Sequence, residues 1–181
     1  MKKTVISAFC AAAVLTAFAG EVKIDNRFLS DGKQSVKGWL YNNAAEFKPF
    51  GDVLPVMNGG QAGVRLVSKG KYTAIYLENQ IPAVKGDILK FSFRIQGTGR
   101  YGIGIYQYGS KAKWQWRGAS IKYGNANYTS PVPVDFEVPV NAEDTKNVCP
   151  VLIADANADI SFFGLKIEKN PQKPQIIQTV W

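Results

Sequence analysis

Between Leu89 and Gln96 the chain alternates without a break: Leu89, Phe91, Phe93 and Ile95 are large and apolar, while Lys90, Ser92, Arg94 and Gln96 are polar or charged. A period of two places the four apolar side chains on one face of an extended strand, and the same residues would be scattered around a helix of period 3.6. One face of this segment therefore belongs to a core and the other to solvent. The same kind of pattern recurs along the chain. Val64 and Leu66 alternate with polar residues, Ser68-Lys69-Gly70-Lys71 forms a turn, and Tyr72 to Leu77 resumes an extended pattern. Further strands are expected at Tyr101 to Tyr108, Lys113 to Arg117, Val132 to Val138, Val148 to Ala154 and Asp159 to Glu168. Turn residues at Gly59-Gly60, Lys85-Gly86-Asp87, Gly97-Thr98-Gly99 and Tyr123-Gly124-Asn125 separate them. Many short strands and no amphipathic helix predict an all-β protein, an antiparallel β-sandwich or barrel. Pro131, Pro133 and Pro139 cannot donate to a ladder, so Val132 to Val138 is expected at an edge or to be short.

The stretch from Tyr101 to Arg117, YGIGIYQYGSKAKWQWR, sharpens the question of sidedness. Ile103 and Ile105 share one face of a strand, Tyr106 and Tyr108 the other, and Trp114 and Trp116 repeat the spacing after a turn. A hairpin pairing Tyr108 with Trp114 puts Tyr106 opposite Trp116 and four rings on one face. That face is either core or ligand platform. Large aromatics are usually buried, which favours a core. Ile103 and Ile105, however, are the natural partners of the Leu89, Phe91, Phe93 and Ile95 face, which turns the rings outward beside Arg94 and Gln96. Gly102 and Gly104 on that face would leave room for a ligand. Exposed rings beside hydrogen-bonding groups suit a sugar, whose C–H faces stack on aromatics while its hydroxyls take polar partners. The candidate ligand-binding residues are Tyr106, Tyr108, Trp114, Trp116, Arg94, Gln96 and Gln115.

The absence of histidine removes the commonest general base, the Ser-His triads and most zinc or copper sites. Carboxylates remain at Glu46, Asp52, Glu78, Asp87, Asp135, Glu137 and Glu143, but no spacing among them marks an acid/base pair. Asp155-Ala-Asn157-Ala-Asp159 opens like an EF-hand loop, then places Ile160 where glycine is needed and Lys166 where glutamate is needed. A hairpin turn between two apolar strands accounts for it without metal.

The ends of the chain have a different character. Lys2 and Lys3, an apolar run from Val5 to Phe18, and Ala17-Phe18-Ala19 read as an export signal over residues 1–19, too short in its apolar part to span a membrane. Removing it discards Cys10 and leaves Cys149, among Val148, Val151, Leu152 and Ile153, as a buried apolar residue with no disulfide partner. The net charge of +8, from 22 basic and 14 acidic residues, falls to +6 without Lys2 and Lys3. The modest basic excess favours an anionic polysaccharide or a negatively charged cell surface, but the basic residues are scattered and nucleic acid is not an expected partner. The domain is expected over residues 20–169. Residues 170–181 read as a linker and an apolar tail, Gln175 to Trp181, able to dock a protein partner.

Three segments resemble the galactose-binding-like jelly-roll carbohydrate-binding modules associated with bacterial polysaccharide-degrading enzymes. They are Ile24-Asp-Asn-Arg-Phe28 followed by Gly38-Trp39, the stretch from Ile81 to Phe93, and Phe136-Glu-Val-Pro139 with Ile160 to Glu168. The resemblance implies a jelly-roll β-sandwich that is secreted or periplasmic, binds polysaccharide or oligosaccharide, catalyses no reaction and needs no cofactor. Many such modules carry aspartates in the last strand where this chain has Phe163 and Gly164, so a structural calcium ion is not supported. The rival expectation from the residues is a structural or protein-interaction β-sandwich of the cell envelope, with its aromatics buried.

Overall fold

The computed structural model describes residues 20–32, 35–41, 50–109 and 114–170, and the regular structure within them is all strand. In chain order the elements are β1 (Gly20–Glu21), β2 (Trp39–Tyr41), β3 (Gly51–Asn58), β4 (Gln61–Ser68), β5 (Thr73–Leu77) and β6 (Ile81–Pro82). They continue with β7 (Ile88–Tyr108), β8 (Trp116–Pro139), β9 (Asn147–Ala154) and β10 (Asp159–Lys169). The expected export signal and the apolar tail from Gln175 lie outside the described residues.

β7 is the spine of the fold. β8 accompanies it antiparallel along one edge, from Ile88 opposite Pro139 to Tyr108 opposite Trp116. Two strands share its other edge in succession: β10 pairs from Leu89 to Thr98, and β9 from Tyr101 to Tyr108. β4 and β3 extend the sheet beyond β10, while β5 and β2 extend it beyond β9. The sheet thus has two halves that share β7 and β8. They curl over a common core, to which the first half contributes Leu89, Phe91, Phe93, Ile95, Leu66 and Phe162 and the second Ile75, Ile103, Ile105 and Leu152. Each such side chain taken from water contributes about 1.5–3 kcal/mol. The result is an antiparallel jelly-roll β-sandwich, the predicted fold class.

The bend between the halves lies at Gly97 (φ 127°) and Gly99 (φ 108°). A Cβ on Gly97 would sit 1.9 Å from the carbonyl oxygen of Asp159, and one on Gly99 2.6 Å from the Ala158 Cβ. The register slips here as well, the partner of Ile95 being Val132 and that of Gly97 being Tyr128. A bulge of this kind increases twist and turns the strand, which lets one strand serve both layers. The Gly97-Thr98-Gly99 segment is therefore a bend inside β7, not a turn between two strands.

Two other expectations are corrected. Tyr123-Gly124-Asn125 lies within β8, because Gly124 pairs with Tyr101 and the tyrosine ring covers it, 2.6 Å from where a Cβ would stand. The three prolines mark an edge as expected, yet the edge strand is long. Val148 to Ala154 and Asp159 to Glu168 do form strands, but these do not pair as a hairpin. The turn between them passes the chain from one half of the sheet to the other along the same edge of β7. Its acids are matched to arginines, Asp155 to Arg100 at 3.1 Å and Asp159 to Arg65 at 2.5 Å. Among the described residues no group of three or more His, Cys, Asp or Glu could hold a metal ion.

Candidate functional site

The alternation in β7 sorts its second half as the spacing requires. Ile103 and Ile105 are fully buried between the layers, and Tyr106 and Tyr108 point to the opposite face. There they meet Ala74 of β5 and Cys149, Val151 and Ile153 of β9, with Tyr76 and Ile121 packed against them. A second apolar layer thus covers the outer side of this half-sheet. Cys149 is buried within it, as its apolar neighbours in sequence suggest.

Tyr106 and Tyr108, 8% and 7% exposed, form the floor of this layer, and Trp114 and Trp116, 41% and 55% exposed, stand over it. Ring centroids lie 5.4 Å apart for Tyr106 and Trp116, 5.3 Å for Tyr108 and Trp114, and 6.0 Å for Tyr76 and Trp114, all close to edge-to-face. Core and platform are therefore both represented, the tyrosines as core and the tryptophans as exposed surface. The backbone register differs from the expected one: Tyr108 pairs with Trp116 and Tyr106 with Ala119, with an irregularity between Gln107 and Tyr108. The expected ring pairs form nonetheless, since large side chains reach diagonal neighbours across a ladder. Burial pushes both tyrosine hydroxyls well above their ordinary pKa, reinforced for Tyr106 by Tyr72 and other neighbouring tyrosines and for Tyr108 by Cys149 and Tyr76. Both stay protonated and able to donate.

The polar candidates separate. Arg94 and Gln96 lie on the first half of β7, across the bend from the tyrosines. Arg94 Nη2 donates to the Pro131 carbonyl at 2.9 Å and Gln96 Nε2 to that of Thr129 at 2.9 Å, answering carbonyls where the bulge interrupts the ladder. Gln115 stays with the tryptophans, its carbonyl accepting from the Gly109 amide at 2.7 Å. The neighbouring Gln107 is wholly buried on the inner side, where Nε2 donates to Ser120 and Asn141 while Oε1 accepts from the amides of Asn141 and Ala142.

Sequence reasoning missed the far end of this face. Tyr72, Tyr106, Ile121, Tyr123, Ile153 and Asp155 line an open cavity of about 230 Å³. Arg100 lies over the Tyr123 ring at 4.1 Å while its Nη1 reaches Asp155. The alternation of Tyr72, Ala74 and Tyr76 and that of Ile121 and Tyr123 were available signals, but the second was masked by reading Gly124 as a turn. The space over Gly102 and Gly104 is occupied: a Cβ on Gly102 would meet the Tyr123 ring at 2.9 Å, and one on Gly104 the Ile121 side chain at 2.8 Å. These glycines admit side chains of β8 where a ligand was expected.

No protein-family model and no curated protein matches the sequence. Solved structures do match. The family 11 carbohydrate-binding module of a cellulosomal cellulase of Clostridium thermocellum superposes over 88% of this chain and 100% of its own, with a TM-score of 0.55 and 13% identity. The fold is that of a jelly-roll carbohydrate-binding module. The CBM22-1 and GH10 modules of an endo-1,4-β-D-xylanase of the same organism, complexed with xylohexaose, match over 80% of this chain at a TM-score of 0.53 and 13% identity. An arabinose-bound α-L-arabinofuranosidase matches over 84% at 0.55 and 15% identity. The chain spans 28% and 27% of those two longer chains. At such identities the likeness is one of fold.

Proposed function

We propose that this protein is a secreted, non-catalytic carbohydrate-binding module that holds sugar rings on the aromatic outer face of its second half-sheet. The observation that carries the reading is the exposure of Trp114 and Trp116 above a buried tyrosine floor. Packing against Tyr76, Tyr106 and Tyr108 fixes the indoles from beneath, so little conformational freedom is lost when a sugar settles on them. Trp114 and Trp116 supply the stacking surface, Tyr106 and Tyr108 carry them from beneath, and the Gln115 side-chain amide supplies hydrogen bonds. The shared fold with a module of a cellulase supports a polysaccharide or oligosaccharide partner, and the expected export signal supports meeting it outside the cytoplasm. Arg94 and Gln96 belong to the bulge and are left out of the site.

Each stacked ring contributes about 1 kcal/mol, or about fivefold in affinity. Isothermal titration against a polysaccharide panel is expected to find a binder with modest affinity, weakened about fivefold by Trp114→Ala and by Trp116→Ala. Binding to no glycan, or binding indifferent to both substitutions, refutes the proposal.

A further inference from the structure

The cavity at the bend end of the aromatic face has a chemistry distinct from that of the tryptophan end. It has aromatic walls, Tyr72 and Tyr123, both substantially exposed, and a floor of Ile121, Ile153 and the buried Tyr106. One charged group lines it, the Asp155 carboxylate. Asp155 Oδ1 accepts from the Ala156 amide at 2.9 Å and Oδ2 from Arg100 Nη1 at 3.1 Å. Two donors from different directions fix the carboxylate, while its remaining lone pairs can still accept. Arg100 is held twice, by this pair and by the Tyr123 ring.

Resting on the carbohydrate-binding reading, we infer that this cavity is a second sugar subsite, one that takes an uncharged sugar unit and discriminates against uronic acids. The exposed Tyr72 ring offers stacking to the C–H side of a pyranose, and Tyr123, one face of which carries Arg100, forms another wall. A fixed carboxylate is an acceptor suited to sugar hydroxyls, and it repels a second carboxylate at short range. The guanidinium of Arg100, which lies over the Tyr123 wall, is paired with Asp155. The chain's net charge of +8 thus has no counterpart among the cavity-lining residues, and the local group decides selectivity where a ligand is in contact.

The placement also sets the length of the ligand. Tyr108, under the tryptophans, pairs with Asn147 at one end of β9, and Gly102 pairs with the cavity-lining Ile153 near the other. At ~3.3 Å per residue the two ends are separated by roughly 20 Å along the strands. The two subsites adjoin at Tyr106, and a ligand that reaches from the tryptophans to the far wall of the cavity is an oligomer lying along β7 and β9.

Titrations with cellohexaose, xylohexaose and mannohexaose, their disaccharides, and hexagalacturonate read this directly. The expected result is that a neutral hexasaccharide binds, its disaccharide at least tenfold more weakly and hexagalacturonate more weakly still. Tyr72→Ala and Asp155→Ala are each expected to weaken the neutral hexasaccharide about five- to tenfold. Asp155→Asn, which removes the charge and keeps an acceptor, should narrow the gap between the neutral and acidic ligands. Tyr72 stands ahead of β5 and is largely exposed, so its replacement tests the subsite without emptying the core. Binding weakened by Trp116→Ala but unaffected by Tyr72→Ala and Asp155→Ala overturns the subsite and leaves the tryptophan reading intact. Preference for hexagalacturonate overturns the charge selectivity, and binding to none of these glycans removes both readings.

Discussion

Alanine at Gly97 would place a methyl group where β10 already is. The added Cβ would lie 1.9 Å from the Asp159 carbonyl oxygen and about 3.0 Å from its carbonyl carbon, on a residue whose φ of 127° side-chain-bearing residues rarely adopt. Two costs follow. Holding alanine in that conformation costs about 1–3 kcal/mol. Moving the Asp159 carbonyl aside disturbs the pairing of β10 with Gly97 and Thr98, and a buried hydrogen bond lost there costs about 1–3 kcal/mol more. A total of about 2–6 kcal/mol is a large part of the ~5–15 kcal/mol by which domains are usually stable. Gly86→Ala is the control, since Gly86 has φ 95° and nothing within 4 Å of a Cβ. Its cost is the backbone term alone, about 1–2 kcal/mol. Urea unfolding followed by tryptophan fluorescence gives both values on one protein. If Gly97→Ala costs no more than Gly86→Ala, the close approach of β10 to β7 at the bend, and with it the course of β7 from one half of the sheet to the other, is wrong.

Two further outcomes are expected. Burial raises the pKa of Asp87, but hydrogen bonds from Asn170, the Val84 amide and Lys169 outweigh it, and Asp159 is lowered chiefly by Arg65, so both carboxyls titrate below the ordinary 3.8. Their stabilisation is therefore present above the unfolded-state pKa and lost as pH falls through the folded-state values; urea midpoints should drop below about pH 4, and Asp87→Asn should blunt that drop. Cys149 is fully buried under Tyr106 and Tyr108, so in a Cys10→Ser chain its thiol should react with a disulfide reagent only at the rate of opening, and labelling in native buffer as fast as a free thiol would refute this placement.

The strand content, the inward face of Leu89 to Ile95 and the outward face of Tyr106 and Tyr108 were legible because side-chain alternation is a local property of extended backbone, read over a few residues. The turns at Gly59-Gly60 and Lys85-Gly86 were legible for the same reason. Glycine at 97, 99 and 124 carried the same local signature with a different meaning. Gly97 and Gly99 bend one strand, and Gly124 makes room for the Tyr101 ring, because atoms distant in sequence occupy the space a side chain would need.

The sequence by itself determined which residues share a face, since parity along a strand is set by covalent geometry. Only the tertiary structure decided what each face meets. It drew Arg94 and Gln96 to the carbonyls at the bulge, set Trp116 rather than Trp114 opposite Tyr108, and gathered Tyr72, Tyr123 and Asp155 from three separated segments around one cavity. Those outcomes depend on strand order and register, which are fixed when the two halves of the sheet close over their common core.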